Sequence, residues 1–453
     1  MRILLSLFIG LSLSFPVQAA NTDTSPTNEH GTSTLQEVKH YTLDNGLQVL
    51  FLHDRRAPIV TVQVFYHVGS KDEAGNRRGM AHLFEHMMFK GSMRVRPEDH
   101  ARFIDSLGGN VNGFTTEDVT AYINTLPADH LEFALKLEAE RMRSLRITPQ
   151  TVHSEREVVK EEKRLRIDQS PMGQMQERFF DLAYTQHPYA WTPAGIIADL
   201  NQITPEECQT FYDRYYVPNN ATLIIVGDVQ EKEVRSWVDT YFAPLARGPD
   251  IPRIDIVEPL QTEKRTETVD FNANLPVILG GYPIPAADNP DIAALRVMAA
   301  ILSEGETARL TKRLVHKERL ALAAGGYPRI MEQPGLFLIF AVHLPHIASD
   351  KVESALLSEI ERLRRDGITT KELERAQKQL TLAYFSELTD ITGVGTTLGY
   401  YQYVFGGWQT FFDSLHQFQK ITTEDVKRVA NTYLLDSHLT LITLKSDSSR
   451  NKQ

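Results

Sequence analysis

Gly79-Met80-Ala81-His82-Leu83-Phe84-Glu85-His86-Met87-Met88-Phe89 sets two histidines and a glutamate into an otherwise apolar run. On a helix, residues four apart lie on one face, about 6 Å apart along the axis. His82 and His86 can therefore place both imidazoles on one borderline-soft cation such as zinc. Glu85, three residues after His82, reaches the same ion. Zinc would lower the pKa of a bound water to about 7, and Glu85 is placed to accept its proton as attack on a carbonyl begins. Leu83, Phe84, Met87, Met88 and Phe89 make the helix apolar nearly all round, which predicts burial. Two imidazoles and a carboxylate on a buried helix need compensation, and a metal ion supplies it.

A catalytic zinc usually takes a third protein ligand besides water. The run from Glu155 to Arg166 (EREVVKEEKRLR) reads as a helix. Glu155 and Glu162 are two turns apart and share a half-buried face with Val158 and Val159, suited to a ligand and its electrostatic support. Glu157 and Glu161 turn elsewhere among Arg and Lys. Taken alone, a salt-bridged surface helix gives the same pattern.

Outward from these helices the chain alternates strands and helices. Tyr41-Thr42-Leu43, a turn at Asp44-Asn45-Gly46, and Leu47 to Leu52 form a hairpin signal. Thr61 to Val68 and Ala221 to Val226 read as strands; Met80–Phe89, Asp99–Leu107, Ala128–Ser144 and Pro149–Arg166 read as helices. A Pro-, Gly- and charge-rich stretch around 246–268 reads as a linker. Beyond it the order recurs, with strands at Val277–Tyr282, Leu336–Leu344 and Leu439–Leu444 and helices near Asp291–Ser303 and from Asp350. The expectation is an α+β chain of two duplicated domains, 37–245 and 269–447, each a mixed or antiparallel sheet packed with helices. The glycines of Gly393 to Tyr403 lack the Gly-Lys-Ser/Thr of a phosphate loop and read as a helix entry or turn.

The chain has 453 residues, 42% hydrophobic and 23% charged, which suits two or three globular units. Its 58 acidic and 48 basic residues leave a net charge of −10, a poor match to nucleic acid. The lone Cys208 excludes an internal disulfide and a Cys-rich metal ribbon, so a metal site must be built from His, Asp and Glu. Arg2, the apolar run Ile3 to Phe15 and the small residues before Ala20 have the layout of a secretory signal, 1–19. A polar leader, 20–36, follows, and 448–453 form a tail. These features imply export to the periplasm without stable membrane insertion.

The inverted order His82-x-x-Glu85-His86, with Glu155 and Glu162 downstream, resembles the pitrilysin/insulinase-type zinc metallopeptidases. The resemblance implies that His82, His86 and Glu162 bind Zn2+, that Glu85 is the base and that Glu155 is a supporting carboxylate. Gly109 to Thr115 (GNVNGFT) resembles the family's substrate-binding edge strand, which makes Asn112, Gly113, Phe114 and Thr115 candidate substrate contacts, with Gly113 where Ala is usual. An edge strand holds an extended peptide by backbone hydrogen bonds. Leu43-Asp44-Asn45-Gly46-Leu47, and Tyr216 to Asn220 leading to Val226-Gly227-Asp228, also match.

The match departs in the second half. Active members often carry an Arg and, seven residues later, a Tyr that hold the substrate and the developing oxyanion. The matching positions here are Val315 and Leu322, which cannot donate. Arg309, Arg313, Arg319 and Tyr327 lie nearby only in a shifted alignment. The resemblance therefore implies an exported zinc endopeptidase for short unfolded peptides, completed by a related subunit carrying the Arg and Tyr, with a homodimer as the other arrangement. The contrasting expectation is a catalytically silent structural or chaperone-like subunit.

Overall fold

The computed structural model describes residues 38–446, so the expected signal, leader and tail lie outside the described residues. Strands β1 (Lys39–Thr42), β2 (Gln48–His53), β3 (Ile59–Tyr66), β4 (Asn110–Thr115), β5 (Thr120–Pro127) and β6 (Ala221–Gly227) form a sheet in the order β1-β2-β6-β3-β5-β4. Strands β7 (Arg265–Ala273), β8 (Val277–Pro283), β9 (Ala323–Arg329), β10 (Leu336–Val342) and β11 (Thr440–Ser446) form a second, β7-β11-β8-β10-β9. From β2 onward the two sheets share strand order and polarity: one parallel pair, then antiparallel pairs to the edge. The fold is α+β and duplicated.

In the first half the helices are α1 (Met80–Met87), α2 (Asp99–Ser106), α3 (Leu131–Ser144), α4 (Pro149–Lys163), α5 (Pro171–Ala183), α6 (Ile197–Leu200), α7 (Pro205–Tyr215) and α8 (Glu231–Tyr241). In the second they are α9 (Asp291–Ser303), α10 (Ser349–Asp366), α11 (Thr370–Glu387), α12 (Ile391–Val404), α13 (Gln409–Lys420) and α14 (Thr423–Tyr433). None of the described helices is long and apolar enough to cross a membrane. Within the expected linker, β7 already begins at Arg265, whose N–H donates to Leu439 O at 2.9 Å. Its polar opening residues pair with β11 at the sheet edge, which is why they read as linker.

Strand alternation divides the core. Val60, Val62, Val64 and Tyr66 of β3 pack with Leu83, Phe84 and Met87 of α1 and with α3, α7 and α8. The opposite face, with Leu50, Leu52, Phe65, Ile224 and Val226, packs instead with second-half residues including Val394 and Leu398 of α12. In return Met175, Phe179 and Phe180 of α5, a first-half helix, cover Val277, Leu279, Leu338 and Ile442 of the second sheet. Each half thus lends a helix to the other's sheet.

Gly393 to Tyr403 is not an entry or turn but most of α12, capped by Asp390, whose side chain accepts the Gly393 N–H. Its glycines mark close packing. A Cβ on Gly399 would lie 2.4 Å from the Phe65 ring, and one on Gly395 2.6 Å from the Gln63 amide. Gln63, buried on β3, donates to Thr392 O at 2.9 Å and accepts from Thr396 Oγ1 at 3.2 Å. Gly399→Val should overpack this contact and lower stability by about 1–3 kcal/mol in urea titrations. An unchanged midpoint would contradict the close approach of α12 to β3.

Candidate metal centre

An eight-residue helix is too short to be stable alone, so the placement of α1 is imposed from outside. It starts at Gly79 in the left-handed region, φ +98, where the backbone crosses Gly195: a Cβ on Gly195 would fall 2.4 Å from Gly79 Cα. Glu73, buried six residues earlier, accepts the N–H groups of Gly79 and Ala81, both at 2.9 Å, and the Trp191 indole N–H at 3.3 Å. Burial pushes its carboxyl up to about 8, against the pull of those three donors. At the other end, Tyr122 Oη donates to Phe84 O at 3.3 Å. Nothing in the sequence spacing marks Glu73; only the folded loop brings it to the helix start.

Across from α1 runs α4, begun by Thr148 as N-cap and Pro149. The two helices bring three donors together. Glu162 Oε2 lies 3.3 Å from His86 Nε2 and 3.8 Å from His82 Nε2. Ligands about 2.0–2.2 Å from a tetrahedral ion are about 3.3–3.6 Å from one another, so this set suits zinc with only slight adjustment. Among the described residues it is the one group of His, Cys, Asp or Glu side chains whose donor atoms all converge within 4.8 Å.

Electrostatics suit the same role. Burial, helped by His86, lowers His82 to about 4, leaving a neutral imidazole with a free lone pair. Burial opposes charge on His86 as well, but Glu155 and Glu162 outweigh it and raise His86 to about 9. A cation entering here competes with that proton. The His86 hydrogen bond, against burial, draws Glu162 down to about 2. Arg166, within the π turn (Arg164–Asp168) that closes α4, holds the other Glu162 oxygen at 2.6 Å.

Glu155 sits behind the group, only 1% exposed. Its Oε2 is 3.8 Å from His86 Nδ1 and its Oε1 is 3.2 Å from Lys90 Nζ. Val159 is fully buried beside it, but Val158 is 46% exposed, contrary to expectation. On a helix Val158 stands about 60° round from Glu155, on the solvent side, whereas Val159 and Glu162 stand within about 40°.

Strand β4 is the sheet edge and, among the described residues, pairs only with β5. Gly113 and Thr115 face α1: Thr115 Oγ1 donates to Glu85 Oε2 at 2.7 Å, and a Cβ on Gly113 would lie 3.4 Å from Glu85 Cγ. Burial raises the Glu85 carboxyl, against the Thr115 hydrogen bond. Phe114 points to the other face and packs edge-on against Phe65, ring centroids 5.8 Å apart. Exposed Asn112 accepts the Gly113 N–H on its own Oδ1 at 2.9 Å.

In the second half, Val315 is partly buried against the core and Leu322 is 49% exposed, its N–H donating to Val342 O. Arg309 pairs with Glu372, and Arg313 with Glu318 and Glu359. Helix α9 takes the place of α1 between its strands, but from Ile292 to Ser303 its one charged residue is Arg296. This half carries the sheet without the ligands.

Comparison with known proteins agrees with that division. Residues 48–191 match the model for insulinase (peptidase family M16), and residues 202–380 match that for the peptidase M16 inactive domain. The zinc protease PqqE of Helicobacter pylori is 32% identical over 420 residues, 92% of this chain and 94% of that one. The crystal structure of a protease from Helicobacter pylori superposes with a TM-score of 0.87 at 32% identity, over 90% of this chain and 99% of that one. The periplasmic protease PqqL of Escherichia coli shares the fold, with a TM-score of 0.78 at 19% identity; the match covers 92% of this chain and 48% of that one. With both halves matched and a relative of like length at this identity, the chain belongs to the pitrilysin/insulinase peptidase family, M16, as a two-domain member.

Proposed function

We propose that this chain is a zinc endopeptidase of the periplasm that hydrolyses short, unfolded peptides. The observation that carries the reading is the convergence of His82, His86 and Glu162, with Glu85 beside them on the same helix. These three would hold zinc, which supplies Lewis acidity toward an amide carbonyl and acidifies water. Glu85 then takes the proton from the attacking water and passes it to the leaving amine, the task of a general base and acid. Glu155 orients His86 through Nδ1. An extended substrate adds to β4, where Asn112 must release the Gly113 N–H for the incoming strand. Export is supported by the signal-like run at 1–19, and the similar PqqL is itself described as periplasmic.

Val315 and Leu322 favour completion of the site by a related subunit supplying an Arg and a Tyr, because losing an oxyanion donor costs about 10² or more in rate. Zinc-loaded chain alone, given a quenched unstructured peptide, should turn over poorly; robust chelator-sensitive cleavage would make it self-sufficient. Zinc binding without cleavage in any pairing would favour the silent-subunit reading.

Four substitutions test the residue roles. Glu85→Gln should keep one zinc per chain and lose about 10²–10⁴-fold in kcat, and retained cleavage would remove Glu85 as the base. Glu162→Gln should abolish stoichiometric zinc in metal analysis, whereas Glu155→Gln should weaken affinity about 10–100-fold. Equal losses from the two would contradict their separate roles. Gly113→Ala has room for its methyl and should leave cleavage intact while raising stability by about 0.4–1 kcal/mol in denaturant titrations.

A further inference from the structure

The hydroxyl of Thr115 is committed to Glu85, and the turn that follows it is gripped by the half that has no ligands. The β4–β5 turn is self-bonded: Thr116 N donates to Val119 O at 2.8 Å, and Thr116 Oγ1 accepts the N–H groups of Asp118 and Val119 at 3.1 and 3.0 Å. The backbone after β3 lies against it, with Ser70 N donating to Thr116 O and Lys71 N to Glu117 O, both at 3.1 Å. Gly69 permits this approach, since a Cβ there would fall 2.3 Å from the Glu117 carbonyl.

Charge then crosses to the second half. Lys71, 1% exposed, places Nζ 3.2 Å from Asp72, 3.6 Å from Asp118 and 3.1 Å from Glu332. Glu332 lies between β9 and β10; its N–H donates to Asp118 Oδ2 at 3.1 Å, and its carboxylate meets His67 Nε2 at 2.8 Å. Tyr189 Oη donates to Asp118 Oδ1 at 2.5 Å, and Arg329 of β9 pairs with Glu117. Burial alone would raise the Glu332 carboxyl, yet His67 and Lys71 pull it down to about 2. Removing one member of such a network leaves a buried charge without its partner.

We propose that Thr115 is a positioning residue for Glu85, and that the Lys71–Asp118–Glu332 network makes the second half the anchor of that hydrogen bond. With Oε2 held by Thr115, Oε1 is the oxygen left to exchange the proton. The role assigned to the second half is then to fix the hairpin that aims the base, beyond enclosing substrate. The proposal rests on the zinc-peptidase reading above.

The test uses the zinc-loaded chain in whichever assembly cleaves the quenched peptide. Thr115→Val should lower kcat about 10–100-fold, with KM within about twofold, zinc content and melting temperature unchanged, and Thr115→Ser should restore the rate. Glu332→Gln should lower kcat too, add little further loss in the Thr115→Val background, and speed hydrogen exchange at the Thr116, Asp118 and Val119 amides even without metal. Wild-type kcat in Thr115→Val, or no rescue by Ser, overturns the positioning role. Unchanged exchange in Glu332→Gln overturns the anchor. Cleavage retained by Glu85→Gln would instead overturn the reading beneath the proposal.

Discussion

Everything at this centre depends on holding ionisable groups inside an apolar helix. His82, Glu85 and His86 ride on α1 together with fully buried Leu83, Phe84 and Met87, so they are carried into the protein whether or not they are paired there. The compensation comes from α4, where Glu155 and Glu162 place negative charge beside the imidazoles. Three carboxylates beside two histidines, with Lys90 and Arg166 at the margin, make a site that attracts a cation. The long approaches among the donors, 3.3–3.8 Å, are those of atoms spaced to share an ion.

The duplicated architecture shows how one scaffold is divided between two tasks. The same order of five strands occurs twice, with a helix between corresponding strands. In the first copy that helix bears donors; in the second, α9 is filled with Ala, Ile, Leu and Val, and its Arg296 turns to the Tyr401 hydroxyl at 2.9 Å. An apolar α9 packs more readily, and the second copy is free to act as a support.

Much of this is legible in the chain because its signals are local. The Asp44-Asn45-Gly46 turn, the alternation along β3 and the His82/His86 spacing each depend on a few consecutive residues. Glu162 is legible because it shares one helix with Glu155. What escapes depends on contacts made across the fold. Nothing near Glu73 announces that its carboxylate will cap α1, and the Thr115 hydroxyl meets Glu85 only once β4 lies under the helix. Phe114, one residue away, faces the opposite core, as strand alternation requires. Gly395 and Gly399 look like breakers until α12 is laid on β3, where they prove to be contact points. Val158 shows how far one residue's step of about 100° moves a side chain from core to solvent.

The exchanged helices set an order of events during synthesis. The apolar face formed by Leu50, Leu52, Phe65, Ile224 and Val226 waits for α12, whose last residue is Val404. A first half emerging from the ribosome would present this face bare for about 180 residues of further translation, from Val226 to Val404, a condition that invites aggregation. The interlocked topology thus favours a protein that folds after its synthesis is complete.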